Sequence, residues 1–164
     1  MTSPATTSPD SRLDALIEAH RHTPGGLLPL LHAVQEALGF VPPDAVPAIA
    51  KALNLSRAEV HGVISYYHFF RQSPPGRRVV QVCRAEACQA CGAEGLLARA
   101  SALLQCPSGQ TRADGAVTLE PVYCLGLCAT SPAIQIDDTL HARVSEAGLA
   151  ALLADVAPQM EPAA

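Results

Sequence analysis

The sequence predicts an α+β chain: an N-terminal helical bundle, then a small α/β domain with helices on a mixed sheet. Three observations carry this. Apolar residues recur at helical spacing between residue 11 and about residue 70. Gln72-Ser73-Pro74-Pro75-Gly76 then reads as a linker by composition. Beyond it the period shortens to that of strands, interrupted by two further helical stripes. The expected divisions are a tail over 1–10, a helical bundle over 11–72, an α/β domain over 78–156, and a tail over 157–164.

The helices follow in order. Leu13, Leu16, Ile17 and His20 form one stripe. Leu27, Leu31, Val34 and Leu38 recur at i, i+4, i+7 and i+11, an amphipathic face. Gly39 ends that helix, and Pro42-Pro43 blocks its continuation. Val46, Ile49, Ala50 and Leu53 suggest a third helix, with Pro43 and Pro47 in or before its first turn. Ser56-Arg57-Ala58-Glu59 is a capping box, which opens a fourth helix through Val60, Val63 and Ile64. Tyr66, Tyr67, Phe69 and Phe70 then gather four of the six aromatic residues around His68. Two roles suit them: packing between the two parts of the chain, or a subunit contact.

After the linker, Arg78 to Val82 reads as a strand running into Cys83. Leu96, Leu97, Ala100, Leu103 and Leu104 make a helix stripe. Ala113-Asp114-Gly115-Ala116 is a turn, and Val117 to Tyr123 a strand. Ala133 to Ile136 and Thr139 to Val144 are strands around an Asp137-Asp138 turn. Ser145 and Glu146 start a last helix that buries Leu149, Leu152, Leu153 and Val156. The expected order is β-α-β-β-β-α.

Composition narrows the function classes. The chain has 164 residues, a net charge of −4 and no Trp, and only 16% of it is charged. A mildly acidic chain without a basic run argues against nucleic-acid binding. The first residues lack the charged and apolar regions of a secretory leader. No run of 18 apolar residues exists, so membrane insertion is not expected. A cytoplasmic location follows as the expectation, and there six cysteines point to metal ligands or redox groups.

The cysteines are Cys83, Cys88, Cys91, Cys106, Cys124 and Cys128. Two selections of four have meaning. Cys83-x4-Cys88 with Cys124-x3-Cys128 gives two pairs on two loops, which suits a [2Fe-2S] cluster with two protein sulfurs per iron. Gly126 lets the second loop bend tightly. Cys83-x4-Cys88-x2-Cys91 with Cys124 instead matches plant-type ferredoxin spacing. That choice leaves Cys128 unused. Cys88-Gln89-Ala90-Cys91 is also a thiol–disulfide spacing, and two Cys pairs can bind structural zinc. A Rieske centre needs His ligands, and no His lies close to the pairs. Cys106 reads as a packing residue. His20-x-His22 and Asp137-Asp138 carry no ligand or catalytic reading.

These residues resemble a known family. From about Leu13 to Val156 the chain is similar to the thioredoxin-like [2Fe-2S] ferredoxins. These include the 24-kDa subunit of respiratory complex I and a diaphorase subunit of NAD-linked hydrogenases. They also include the gamma subunit of NAD-dependent molybdenum formate dehydrogenase. Glu59-Val60-His61-Gly62-Val63 and Tyr66 to Phe70 look like the family's helical part. Cys83-x4-Cys88 and Cys124-Leu125-Gly126-Leu127-Cys128 match its ligand pairs. Pro132 stands where a thioredoxin-like fold carries a proline before a strand. Cys83-Arg84-Ala85-Glu86-Ala87-Cys88-Gln89 looks most like the formate dehydrogenase gamma subunit. Cys91 departs from the family motif.

The resemblance implies one [2Fe-2S] cluster on Cys83, Cys88, Cys124 and Cys128, and electron transfer without substrate chemistry on this chain. It implies a flavoprotein partner holding FMN and NAD, and a molybdenum-containing catalytic subunit for formate. The alternatives are the equivalent subunit of complex I or of a hydrogenase, or a stand-alone thiol–disulfide or zinc-binding protein of the same fold. No G-x-G-x-x-G or P-loop is present, so no nucleotide site is expected here. Arg84 is the nearest cation in sequence to the ligands, with a solvated loop position as its other reading. Glu86 would oppose it if it faced the cluster. The helix beginning near Cys91-Gly92 is expected to point N–H groups toward an anion.

Overall fold

Residues 9–156 are described in the computed structural model, and the chain divides between Pro74 and Pro75 into two units. Of the expected tails at 1–10 and 157–164, residues 1–8 and 157–164 lie outside the described residues.

The first unit is helical because its apolar stripes are closed off by strong stop signals. It contains α1 (Pro9–His20), α2 (Leu27–Leu38), a 3₁₀ turn (Pro43–Ala45), α3 (Val46–Leu53) and α4 (Arg57–Tyr66). Helix α1 thus begins inside the stretch expected to be a tail. Helix α2 ends at Gly39, whose φ of 84° is the left-handed cap that glycine adopts freely. Asn54 caps α3 in the same region, at φ 54°. Pro47 sits in the first turn of α3, where its missing N–H has no helical partner to lose. The capping box at α4 is complete: Ser56 Oγ accepts from the Glu59 N–H, and Glu59 Oε2 accepts from the Ser56 N–H at 2.7 Å.

Leu30, Leu31, Val34, Val41, Ile49, Val60, Ile64 and Phe70 form this unit's core. Of the aromatic run, only Phe70 enters it. Tyr66, Tyr67 and Phe69 are exposed. The segment is pinned by buried Gln35, whose side-chain amide donates to Phe69 O and accepts from the Arg71 N–H, each at 2.7 Å.

The second unit contains β1 (Arg78–Cys83), α5 (Glu86–Ala90), α6 (Ala93–Leu104), β2 (Gln110–Thr111), β3 (Val117–Val122), a 3₁₀ turn (Cys128–Thr130), β4 (Ile134–Ile136), β5 (Thr139–His141) and α7 (Glu146–Leu152). The sheet order is β2-β3-β1-β4-β5. Strands β1 and β3 are parallel, and the remaining pairs are antiparallel. Val80, Val82, Leu119, Ile134 and Ile136 of the sheet pack with Leu96, Leu97, Ala100 and Leu104 of α6 and with Leu149 and Leu153.

Two short elements add to the expected order: the single turn α5 and the two-residue β2. Strand β5 also stops at His141, three residues earlier than expected. Nearby Arg143 takes φ 53°, a left-handed conformation that extended pairing does not accommodate. The Asp137-Asp138 turn is present, with Asp137 at φ 52° and its Oδ1 accepting from the Val79 N–H at 2.8 Å.

Register positions the site. Parallel pairing sets Cys83 opposite Val122. The loops carrying the two expected ligand pairs therefore leave the sheet side by side, at the C-terminal ends of its two central parallel strands.

Candidate metal centre

Cys83 is the last residue of β1, and Cys88 lies within α5, so regular structure aims both side chains. Each is about 1% exposed. Ala93 and Ala133 pack with them into a small buried cluster, bordered by Val122 at the end of β3 and by Leu125 and Leu127 from the other loop. Small alanines leave space around two sulfurs that larger residues would fill.

The second loop has irregular backbone. Cys124 takes φ 110°, unusual for a side chain with a Cβ, and Gly126 takes φ 77°. This turn brings the Gly126 N–H to 3.4 Å from Cys124 Sγ. Cys128 starts the following 3₁₀ turn, and its sulfur lies 3.6 Å from that of Cys124. Two thiolates on one tetrahedral metal, with bonds of about 2.3 Å, lie about 3.7 Å apart. The second pair thus has the separation that one metal ion requires.

The two loops also meet electrostatically. Burial pushes the Cys83 thiol up. Hydrogen bonds from the Ala85 backbone, the Cys88 side chain and the Leu125 and Cys124 backbone outweigh it, so its pKa falls below the ordinary thiol value. Donors from both loops therefore favour a thiolate at Cys83. Cys128 is pushed up, first by its hydrogen bond with Cys124, then by the charge of Cys124, by desolvation, and by the charges of Cys88 and Cys83. Cys128 thus feels the charge of the other three sulfurs, the repulsion that bound cations relieve. Ser131 links the pairs: its Oγ lies 3.5 Å from Cys88 Sγ and donates to Cys128 O at 2.9 Å.

The other candidates are placed differently. Cys106 is buried in the sheet core, its thiol donating to Gln110 O at 3.2 Å. Cys91 is exposed at the end of α5 and lines a cavity of about 340 Å³ with Ser131, Pro132 and Arg143. It is not in the buried cluster around Cys83 and Cys88. The Ser131–Pro132 peptide is cis and precedes β4.

Arg84 follows β1 in a loop, partly exposed, and is not a free cation. Its Nη2 donates to Glu94 Oε2 at 2.6 Å, and its Nε is buried without a partner. Sequence reading missed Glu94 because the pairing depends on where α6 sits against the end of β1. Glu86 is exposed. Helix α6 begins at Ala93, whose side chain packs with Cys83 and Cys88, so its N-terminus stands beside that pair.

A sequence model described as thioredoxin-like [2Fe-2S] ferredoxin matches residues 13–157. The chain belongs to the thioredoxin-like [2Fe-2S] ferredoxin family. It is 40% identical over 123 residues to a subunit of the NADH-quinone oxidoreductase of Pseudomonas aeruginosa, covering 75% of this chain and 74% of that one. It is 34% identical over 151 residues to a subunit of the NADH-quinone oxidoreductase of Thermus thermophilus, covering 88% and 83%. The fold matches a crystal structure of an NAD+-reducing [NiFe]-hydrogenase with a TM-score of 0.65 and 28% identity. That match covers 85% of this chain and 24% of the hydrogenase chain, so this fold spans about a quarter of that longer polypeptide.

As a member of this family the chain is an electron-transfer protein with one [2Fe-2S] cluster. The residues present fit that group. Among the described residues, no group of three or more His, Cys, Asp or Glu side chains is arranged to hold a metal ion. The four thiols instead come as two pairs, the grouping that suits a binuclear centre. The Gly126 N–H aimed at Cys124 suits anionic sulfur. Among the described residues, no helix is long and apolar enough to cross a membrane.

Proposed function

We propose that Cys83, Cys88, Cys124 and Cys128 hold the [2Fe-2S] cluster. We further propose that the chain serves as the electron-transfer subunit of an NADH-linked oxidoreductase, in the manner of NADH-quinone oxidoreductase or an NAD-linked hydrogenase. The supporting observation is that two cysteine loops leave adjacent parallel strands together, Leu125 and Leu127 of one packing against the buried Cys83 and Cys88 of the other. The cluster supplies one-electron storage at a potential set by its surroundings. Cys83 and Cys88 hold it from the dry side. Cys124 and Cys128 hold it from the solvent side, where an electron exchanges most readily with a partner.

The partner on this reading is a cytoplasmic flavoprotein carrying FMN and the NAD site. Relatives in NADH-quinone oxidoreductases and an NAD+-reducing hydrogenase support that class of complex. They favour it over a formate dehydrogenase. The formate reading, with a molybdenum subunit as partner, rests on the likeness of Cys83 to Gln89 alone.

The test uses the native complex, purified anaerobically by a tag on this chain. NADH should produce the EPR signal of a reduced [2Fe-2S] cluster in the complex. A signal also produced by formate would establish the formate dehydrogenase reading, and one produced by hydrogen the hydrogenase reading. A cluster reduced by dithionite but never by NADH would overturn the NADH-linked role. A dithionite-reduced signal that is unchanged in Cys128→Ser would overturn the ligand assignment.

A further inference from the structure

We propose that the Nε–H of Arg84 is a hydrogen-bond donor to the [2Fe-2S] cluster, and that Glu94 is the positioning residue that holds it there. This rests on the ligand assignment above.

The argument begins with an unsatisfied atom. Arg84 Nε is buried, and nothing in the protein accepts its hydrogen. A buried donor on a charged group is costly to leave without an acceptor. Native proteins avoid such groups unless a ligand or ion completes them.

Its location narrows what can complete it. The Arg84 backbone follows directly on Cys83, and its N–H donates to Val122 O at 2.7 Å, which fixes the start of the side chain. The other end is fixed by Nη2 on Glu94 Oε2. Glu94 lies in the first turn of α6, next to Ala93, and Ala93 packs with Cys83 and Cys88. Both anchors are thus chain neighbours of members of the buried cluster around these two sulfurs. The acceptor we assign to the Nε–H is sulfur, either a ligand thiolate or a bridging sulfide. Glu94 is mainly exposed, so its role is to hold the fork in one orientation rather than to neutralise a buried charge.

The consequence is a redox effect. By formal charge the oxidised cluster with four thiolates is about −2, and reduction adds one more negative charge. A charged donor stabilises the reduced form more, so it raises the midpoint potential. Glu94 acts only through the orientation of Arg84.

The experiment uses the full-length chain grown with arginine labelled with ¹⁵N at Nε, reduced with dithionite and examined by pulsed EPR. The expected result is an arginine ¹⁵N coupling to the reduced cluster. Arg84→Lys should abolish that coupling and lower the midpoint potential, with the cluster still bound. Glu94→Gln should weaken the coupling at unchanged cluster content, which a merely structural role would not do. No arginine ¹⁵N coupling in the unsubstituted protein would overturn the proposal, as would a coupling that persists in Arg84→Lys or is untouched in Glu94→Gln. The unsubstituted measurement decides even if a variant fails to fold. Failure of the ligand assignment reads differently: the cluster signal would then be unchanged in Cys128→Ser.

Discussion

The two cysteine pairs are built by opposite means. Cys83 and Cys88 are aimed by a strand end and a helical turn, and both are buried. Cys124 and Cys128 are exposed and aimed by left-handed backbone at Cys124 and Gly126. The first pair is part of the unit's interior, so its sulfurs are desolvated whether or not metal is bound. The second is a strained loop whose conformation costs about 1–3 kcal/mol at Cys124. Bonds to a cluster shared with the first pair would offset that cost. The difference teaches that one half of the site comes from regular structure and the other from irregular backbone, the half a bound cluster would steady most.

Substitutions should separate the halves. Cys83→Ser should have the largest effect. It removes a ligand and leaves a hydroxyl in a buried pocket, at about 1–3 kcal/mol if it finds no partner. Cluster absorbance should vanish and the apoprotein should unfold at lower denaturant. Cys128→Ser should also destroy or alter the cluster, yet the apoprotein's stability should change by no more than about 0.5 kcal/mol, as for an exposed site. Equal apoprotein destabilisation by both would break the comparison.

Gly126→Ala should act next most strongly. A Cβ there meets nothing within 4 Å, so the effect is backbone strain alone at φ 77°. The expected cost is about 1–2 kcal/mol, seen as weaker cluster retention under chelator rather than as misfolding.

The smallest effect lies outside both loops. Hydrogen bonding from the Arg112 guanidinium, then from the Ala116 N–H, holds the Asp114 carboxyl at about 2, below its ordinary value of 3.8. A lowered folded-state pKa gives stability that is present above the unfolded value and lost as pH falls through about 2. Asp114→Asn should therefore remove part of the acid dependence of apoprotein melting and leave the cluster spectrum unchanged. A changed spectrum would mean that the β2–β3 turn and the site are coupled.

Much of this was legible in the sequence. Helical stripes, the Gly39 stop and the Ser56 capping box are local patterns, and they lie where local physics puts them. The separation of Cys106 from the other cysteines was also legible, since it follows a buried helix stripe. Strand order was not. Nothing local says that β1 pairs in parallel with β3, yet that pairing brings the cysteine loops together. Helix α5 is too short to show a period, so Cys88 read as a loop residue. The Arg84–Glu94 pair spans a turn between elements and belongs to tertiary structure. Of the aromatic run, Phe70 enters its own unit's core, a role neither sequence expectation named, while Tyr66, Tyr67 and Phe69 remain exposed.

The central claim is that four cysteines, and only those four, hold the cluster. The Cys91→Ser, Cys106→Ala double variant retains Cys83, Cys88, Cys124 and Cys128 alone. Spin quantitation of its dithionite-reduced EPR spectrum is the most direct test. The account predicts a rhombic [2Fe-2S] signal of about one spin per chain, as in the unsubstituted protein. A folded double variant without that signal would contradict it.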